Sequence, residues 1–202
     1  MTAPIGLNPV SYVVLGFVGR AGSASPYDMK RWAGESIGNF WPFPHSQLYS
    51  EPARLAEAGL LKAEQEPAGR RRRTYSLTDT GLAALCDWLR QPTVEHTQMR
   101  DLGLLKLFFG QFLPPEEVVA HAQLQEATHR ARLAAYAAID AHLAGHDEPA
   151  KIAYARATLR MGLLNEEAFV QFWAEIARQP PNANPDDFPN SSIQQQRGST
   201  AR

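Results

Sequence analysis

The sequence predicts a mainly α fold in two parts. Three short helices, a two-stranded hairpin and a fourth helix come first, followed by an all-α region of long helices. Two observations carry this. Helix-start signals recur at short spacing before residue 60, and the apolar period then changes from helical to alternating between Leu60 and Leu77. Beyond Pro114 a long Ala-rich stretch and a last apolar seam return to helical period.

The elements follow in order. Asn8 before Pro9 is an N-cap ahead of a proline at the first helical position, and Val10, Val13, Val14 and Phe17 share one face of a helix that ends near Gly19. Ser25-Pro26 with Asp28 three positions after Ser25 resembles a capping box, opening a helix that carries Tyr27, Lys30, Arg31 and Trp32. Phe40-Trp41-Pro42-Phe43-Pro44 interrupts helical structure, and a third helix from about His45 to Ala58 stops at Gly59. Leu60–Glu66 and Arg71–Leu77 read as strands around a Pro67–Arg70 turn, and Thr78 caps a helix to about Leu89, closed by Pro92.

The second half predicts an apolar helical segment over Asp101–Leu113, a start at Pro114-Pro115, a long helix to about Leu143, a break over Gly145–Pro149 and a last helix over about Ala150–Arg178. Ile152, Leu159, Leu163, Val170 and Trp173 make an apolar seam on it, and two long amphipathic helices have more seam than a short domain covers by itself, so a partner helix from a second copy is expected. From Pro180 the composition is that of a disordered polar tail. The expected domains are therefore 1–92, 93–179 and the tail 180–202.

Composition bounds the function. The 202 residues carry a net charge of −1 and 44% hydrophobic residues, which argues against a disordered chain and a uniformly basic nucleic-acid coat. The average hides an asymmetry: residues 1–92 hold ten Lys or Arg against eight Asp or Glu, the remainder ten against thirteen. One cysteine, Cys86, permits no intramolecular disulfide and no multi-cysteine metal site, which suits a reducing cytoplasm. Apolar stretches such as Tyr12–Leu15 are too short to span a bilayer, and no signal-peptide pattern precedes Arg20, so no membrane association is expected.

Three helices and a hairpin are the layout of a winged helix-turn-helix, whose third helix enters the DNA major groove. At about 100° per residue, Leu48, Pro52 and Leu55 fall on one side of that helix and Ser46, Gln47, Ser50 and Arg54 on the other. Uncharged hydrogen-bonding groups with one arginine suit base edges, since Gln pairs with adenine and Arg with guanine or phosphate, and Tyr49 flanks the face as a phosphate donor. A solvated face would look similar, but the Arg70-Arg71-Arg72-Arg73 run after Gly69 adds a cationic wing able to meet phosphate or a narrow minor groove. Pro52 removes the bond to the Leu48 carbonyl and leaves open a helix that starts later, near Ser50.

Val14-Leu15-Gly16, Tyr27-Asp28-Met29-Lys30-Arg31, Ser46-Gln47-Leu48-Tyr49, Arg54–Leu60, the Gly69–Arg72 wing, Tyr75–Gly81 and Leu104–Phe109 occur in one collinear order. Together they resemble the PadR family of bacterial transcriptional regulators, and the last part resembles a virulence-activator-type C-terminal domain. The resemblance implies a winged-helix repressor that dimerises through C-terminal helices and is released from DNA by an aromatic or other small effector. It also implies that Tyr27, Gln47 and Tyr49 stand at DNA-contact positions. The sequence departs from the commoner pattern at Pro26, where glycine is usual, and at Pro52, where an aliphatic residue is usual.

Other chemistry finds little support. His142 and His146 are spaced to share a metal, but a helix end lies between them, and no metal or cofactor is expected. His121 and His129 carry no signal, and neither a phosphate loop nor a nucleophile elbow is present, so no enzyme is expected. Trp41, Phe43, Trp88, Phe108 and Phe109 are effector-pocket candidates against the simpler reading of core aromatics. The expected protein is a homodimer contacting operator DNA near its own or an adjacent gene through Tyr27, Lys30, Ser46, Gln47, Tyr49, Ser50, Arg54, Arg70, Arg71 and Arg72. The competing reading is a winged-helix scaffold whose long helices pair with another protein.

Overall fold

The computed structural model describes residues 5–65, 72–145 and 149–181. The chain divides into two units, Met1–His96 and Thr97–Arg202. Among the described residues the elements are mainly helical, with one small antiparallel sheet.

In the first unit, α1 (Pro9–Ala21) opens on the predicted cap: the Asn8 side chain accepts from the backbone N–H groups of Val10 and Ser11, and Ser11 Oγ accepts from the Asn8 N–H. The helix runs two residues past Gly19 and closes at Gly22. Gly19 has another use, because a Cβ there would meet Leu77 Cδ2 at 3.2 Å; it is a site of close packing against the sheet rather than a stop. β1 (Ser23–Ala24) follows, then α2 (Pro26–Glu35) with the Ser25–Asp28 capping box formed in both directions. A 3-10 turn at Ile37–Asn39 and an irregular stretch lead to α3 (Gln47–Glu57).

α3 begins two residues later than expected, after a tight turn in which Gln47, Leu48 and Tyr49 donate to the carbonyls three residues back. It does not begin near Ser50. The helix runs through Pro52, which is buried on the inner face with Leu48 and Leu55, so the proline contributes packing where it forfeits one bond. Gly59 takes φ +76° after the helix, a left-handed turn that the sequence had marked.

β2 (Leu61–Gln65) and β3 (Arg73–Leu77) pair in the register Leu61↔Leu77, Ala63↔Tyr75, Gln65↔Arg73. The hairpin is not alone: β1 pairs with the other edge of β3, giving the order β1-β3-β2. Two residues are too few to show a period, so the third strand had no signature. α4 (Asp79–Arg90) is capped by Thr78, whose hydroxyl accepts from the Gly81 N–H. Val14, Leu15, Val18, Met29, Ala33, Leu48, Leu55, Leu61 and Tyr75 form the core that fixes α3 and the sheet to α1 and α2.

In the second unit the segment expected as one helix is broken at Phe109 into α5 (Leu102–Phe108) and a 3-10 turn at Gly110–Phe112. α6 (Pro115–Ala144) and α7 (Pro149–Arg178) then form an antiparallel pair, as the contacts His121–Trp173, His129–Glu166 and Asp140–Arg156 show by running in opposite order along the two helices. Part of the α7 seam is used within the chain, where Ile152, Val170 and Trp173 are buried. The helices still expose Leu124, Tyr154, Met161 and Leu164. No helix among the described residues is long and apolar enough to cross a membrane. Of the tail expected at 180–202, residues 182–202 lie outside the described residues.

Candidate nucleic-acid interface

α3 presents two chemically distinct sides. Leu48, Glu51, Pro52 and Leu55 are buried, whereas Ser46, Gln47, Tyr49 and Ser50 are exposed, with Tyr49 half open to solvent. The exposed set keeps donors and acceptors in water, where a base edge or phosphate can replace the water. Tyr27 at the start of α2 is 65% exposed and Lys30, one turn on, is also exposed.

Arg54 is placed differently from expectation. Its guanidinium donates to Glu51 Oε2 at 2.9 Å, Glu51 Oε1 at 2.5 Å, Ser11 Oγ at 3.1 Å and the Gly6 carbonyl at 3.1 Å. Ser11 Oγ in turn donates to Glu51 Oε1 at 2.6 Å. The side chain bends towards the start of α1 instead of extending with Gln47 and Ser50, because a buried carboxylate one turn away attracts it more strongly than solvent does. Burial pushes the Glu51 carboxyl up, but the Arg54 and Ser11 hydrogen bonds outweigh it and hold it below the usual range. Arg54 is correspondingly raised, by its bond to Glu51 first.

Arg72 is also engaged. At the root of the wing it donates to Ser25 Oγ at 2.9 Å and Asp28 Oδ2 at 2.5 Å. Desolvation pushes the Asp28 carboxyl up, while bonds from the Ser25 N–H, the Ser25 hydroxyl and Arg72 together bring it below its ordinary value. Arg73 is exposed on β3. Arg70 and Arg71 lie outside the described residues, as does His146 of the histidine pair.

The five aromatic candidates do not share one environment. Trp41 is 48% exposed, Phe43 packs at the edge of the first unit's core beside His45, and Trp88 stacks on Tyr12 at 4.5 Å, joining α4 to α1. Phe108 and Phe109 belong to the second unit, exposed and edge-to-face with each other at 5.0 Å. An open depression between α3 and β2, lined among others by Ala53, Ala56, Lys62 and Arg73, includes none of the five.

The sequence also concealed a polar cluster between α6 and α7. His129 and Glu166 are both buried and joined at 2.6 Å, Phe169 stacks on the imidazole at 4.4 Å, and Arg132 reaches Glu166 at 3.2 Å. Its two polar pairs, Arg132–Glu166 and His129–Glu166, are 34 and 37 residues apart, separations that no local period encodes.

Comparison with known proteins bears on both units. The family model "Transcriptional regulator PadR-like family" matches residues 14–87, and "Virulence activator alpha C-term" matches residues 99–179. The negative transcriptional regulator PadR of Bacillus subtilis (strain 168) is 34% identical over 112 residues, 54% of this chain and 60% of that relative's length. The crystal structure of Bacillus subtilis PadR with operator DNA superposes with a TM-score of 0.75 at 26% identity, covering 85% of this chain and 98% of that one. The complex of the same protein with p-coumaric acid gives 0.72 at 26% identity, over 85% and 97%. A PadR-like regulator from Bacillus cereus shares the fold, with a TM-score of 0.69 at 18% identity over 84% and 96%.

Proposed function

Because this chain belongs to the PadR-like family of transcriptional regulators, we propose that it is a homodimeric, sequence-specific DNA-binding repressor whose hold on its operator is relieved by a small aromatic effector. The observation that carries this is α3: a polar, uncharged, exposed face on a helix whose other face is fixed in the core, beside two paired strands whose connecting sequence holds an arginine run. Tyr27, Lys30, Ser46, Gln47, Tyr49 and Ser50 make the contacts from the helices, and Arg70, Arg71 and Arg73 supply the wing's charge. Arg54 and Arg72 leave the contact set because both guanidinium groups are used internally.

The solved relatives support the two ligand classes, since Bacillus subtilis PadR was crystallised with operator DNA and with p-coumaric acid. On this reading residues 1–92 bind DNA, residues 93–179 dimerise and take the effector, 180–202 form a polar tail, and the protein works in the cytoplasm. Exposed apolar side chains such as Leu124, Met161 and Leu164 are the surface offered to the second copy. Two reading helices then meet half-sites about one helical turn apart.

Gel-shift titration with the DNA upstream of its own gene tests the proposal. Binding well above that to random duplex, lost when Arg70 and Arg71 become alanine, is the expected result; equal affinity for random duplex overturns it. Purification as a complex with a different protein would favour the scaffold reading. A phenolic-acid panel that shifts neither melting temperature nor DNA affinity would remove the effector.

A further inference from the structure

β1 is short for a covalent reason. Its register sets Ser23 opposite Ser76 and Ala24 opposite Tyr75, so the next partners along β3 would be Ser25 and Pro26. Ser25 is already the N-cap of α2, and Pro26 has no N–H to give to a ladder. Backbone pairing between the start of α2 and the returning strand of the wing therefore stops at Ala24. Side chains continue it: just before the start of β3, Arg72 reaches across to Ser25 Oγ and Asp28 Oδ2.

The same Asp28 oxygen accepts from the Ser25 N–H at 3.0 Å and the Ser25 hydroxyl at 2.7 Å, so one carboxylate serves both the helix cap and the arginine. Without it the guanidinium would face the positive end of the α2 dipole. The attraction at this place is thus conditional on Asp28. Its side chain is 18% exposed, against 45% for Arg72.

We propose that Ser25 and Asp28 are positioning residues for DNA binding, acting through Arg72 to hold the root of the wing against the start of α2, where Tyr27 is exposed. This rests on the DNA-binding reading above, since a fixed angle between wing and helix matters for a two-point grip on a duplex. An acidic residue beside the DNA surface then strengthens binding, the reverse of what its charge alone would do. Arg72 acts by fixing the wing rather than by neutralising a phosphate.

The full chain allows two separate readouts. Without DNA, trypsin needs the Arg72 side chain released, so cleavage after Arg72, identified by mass spectrometry, should be about fivefold faster in D28N, the factor of a modest ion pair. It should stay near the wild-type rate in D28E, which keeps a carboxylate at the capping-box position. With duplex, D28N and R72A should each weaken binding about fivefold, the double variant no further, and R72A should keep the wild-type salt slope. Melting curves of D28E and R72A, neither of which removes the cap, guard against loss of fold.

Wild-type cleavage rates in D28N overturn the clamp. D28N binding as tightly as wild type or tighter, losses that multiply, or a slope reduced by about one in R72A overturn its role in DNA binding. A wild-type protein that prefers no duplex overturns the regulator reading and the positioning role with it, while the cleavage assay still decides whether Asp28 holds the wing.

Discussion

Glu51 is a buried carboxylate on the inner face of a helix whose outer face meets DNA in the proposed function, and its cost is met by Ser11 and Arg54. Replacing it with alanine removes the carboxylate to which Ser11 and Arg54 both donate; because Arg54 is partly exposed and keeps the Gly6 carbonyl, the expected loss is about 2 kcal/mol of stability in denaturant titration. The folded-state carboxyl lies below its ordinary value of 4.5. A depressed carboxyl contributes stability that is fully present above the unfolded-state value and is lost as pH falls through the folded one. E51Q should therefore be less stable than wild type at neutral pH, with the difference narrowing in acid; a constant difference down the acid limb would contradict the charge-based account. Gln47, exposed and outside the core, should behave in the opposite way. Q47A is expected to leave the melting temperature unchanged and to cost about 1–3 kcal/mol on cognate duplex, with little effect on random DNA. The exposure of Gln47 was legible in the residue order because one helix turn decides which way it faces. The engagement of Arg54 was not, since its side-chain partners are Glu51, one turn away, and Ser11, 43 positions back.

Caps decide where the elements begin. Asn8, Ser25 and Thr78 stand at helix starts as the sequence indicated, since a cap needs only atoms within three residues. Thr78 does more than cap: its hydroxyl also donates towards the carbonyls of Gly59 and Leu60, so it ties α4 to the turn that follows α3. T78A should cost about 1–2 kcal/mol, and T78S should recover most of it, measured by thermal melting. Between α6 and α7 the buried His129–Glu166 pair gives a sharper test. Removing Glu166 alone should cost about 3 kcal/mol, because His129 is left buried without its acceptor, whereas H129L/E166L should regain much of that loss. A double variant no more stable than E166A would show that the pair sets the helix register, not merely its own balance.

At the scale of the molecule, the net charge of −1 gives no general attraction for DNA. Binding must come from a local cationic feature, and with Arg72 held by Asp28 the wing has three further arginines in its run. If two on each of two wings meet phosphate, the logarithm of affinity should fall against the logarithm of salt with a slope of about −4. A much steeper slope would require contacts beyond the wing and α3. Light scattering at micromolar concentration should give a dimer, and a monomer would count against the surface bearing Leu124, Met161 and Leu164. The sequence by itself determined the order of helices, hairpin and long helices, their caps, and the polar stripe of α3, because these rest on interactions within one or two turns. Tertiary structure decided the third strand, the burial of part of the α7 seam against α6, and the use of Arg54 and Arg72 as internal ties. Each of those depends on which surfaces and charges meet across tens of residues, and a charged side chain goes to the nearest desolvated opposite charge, which only the packed chain brings within reach.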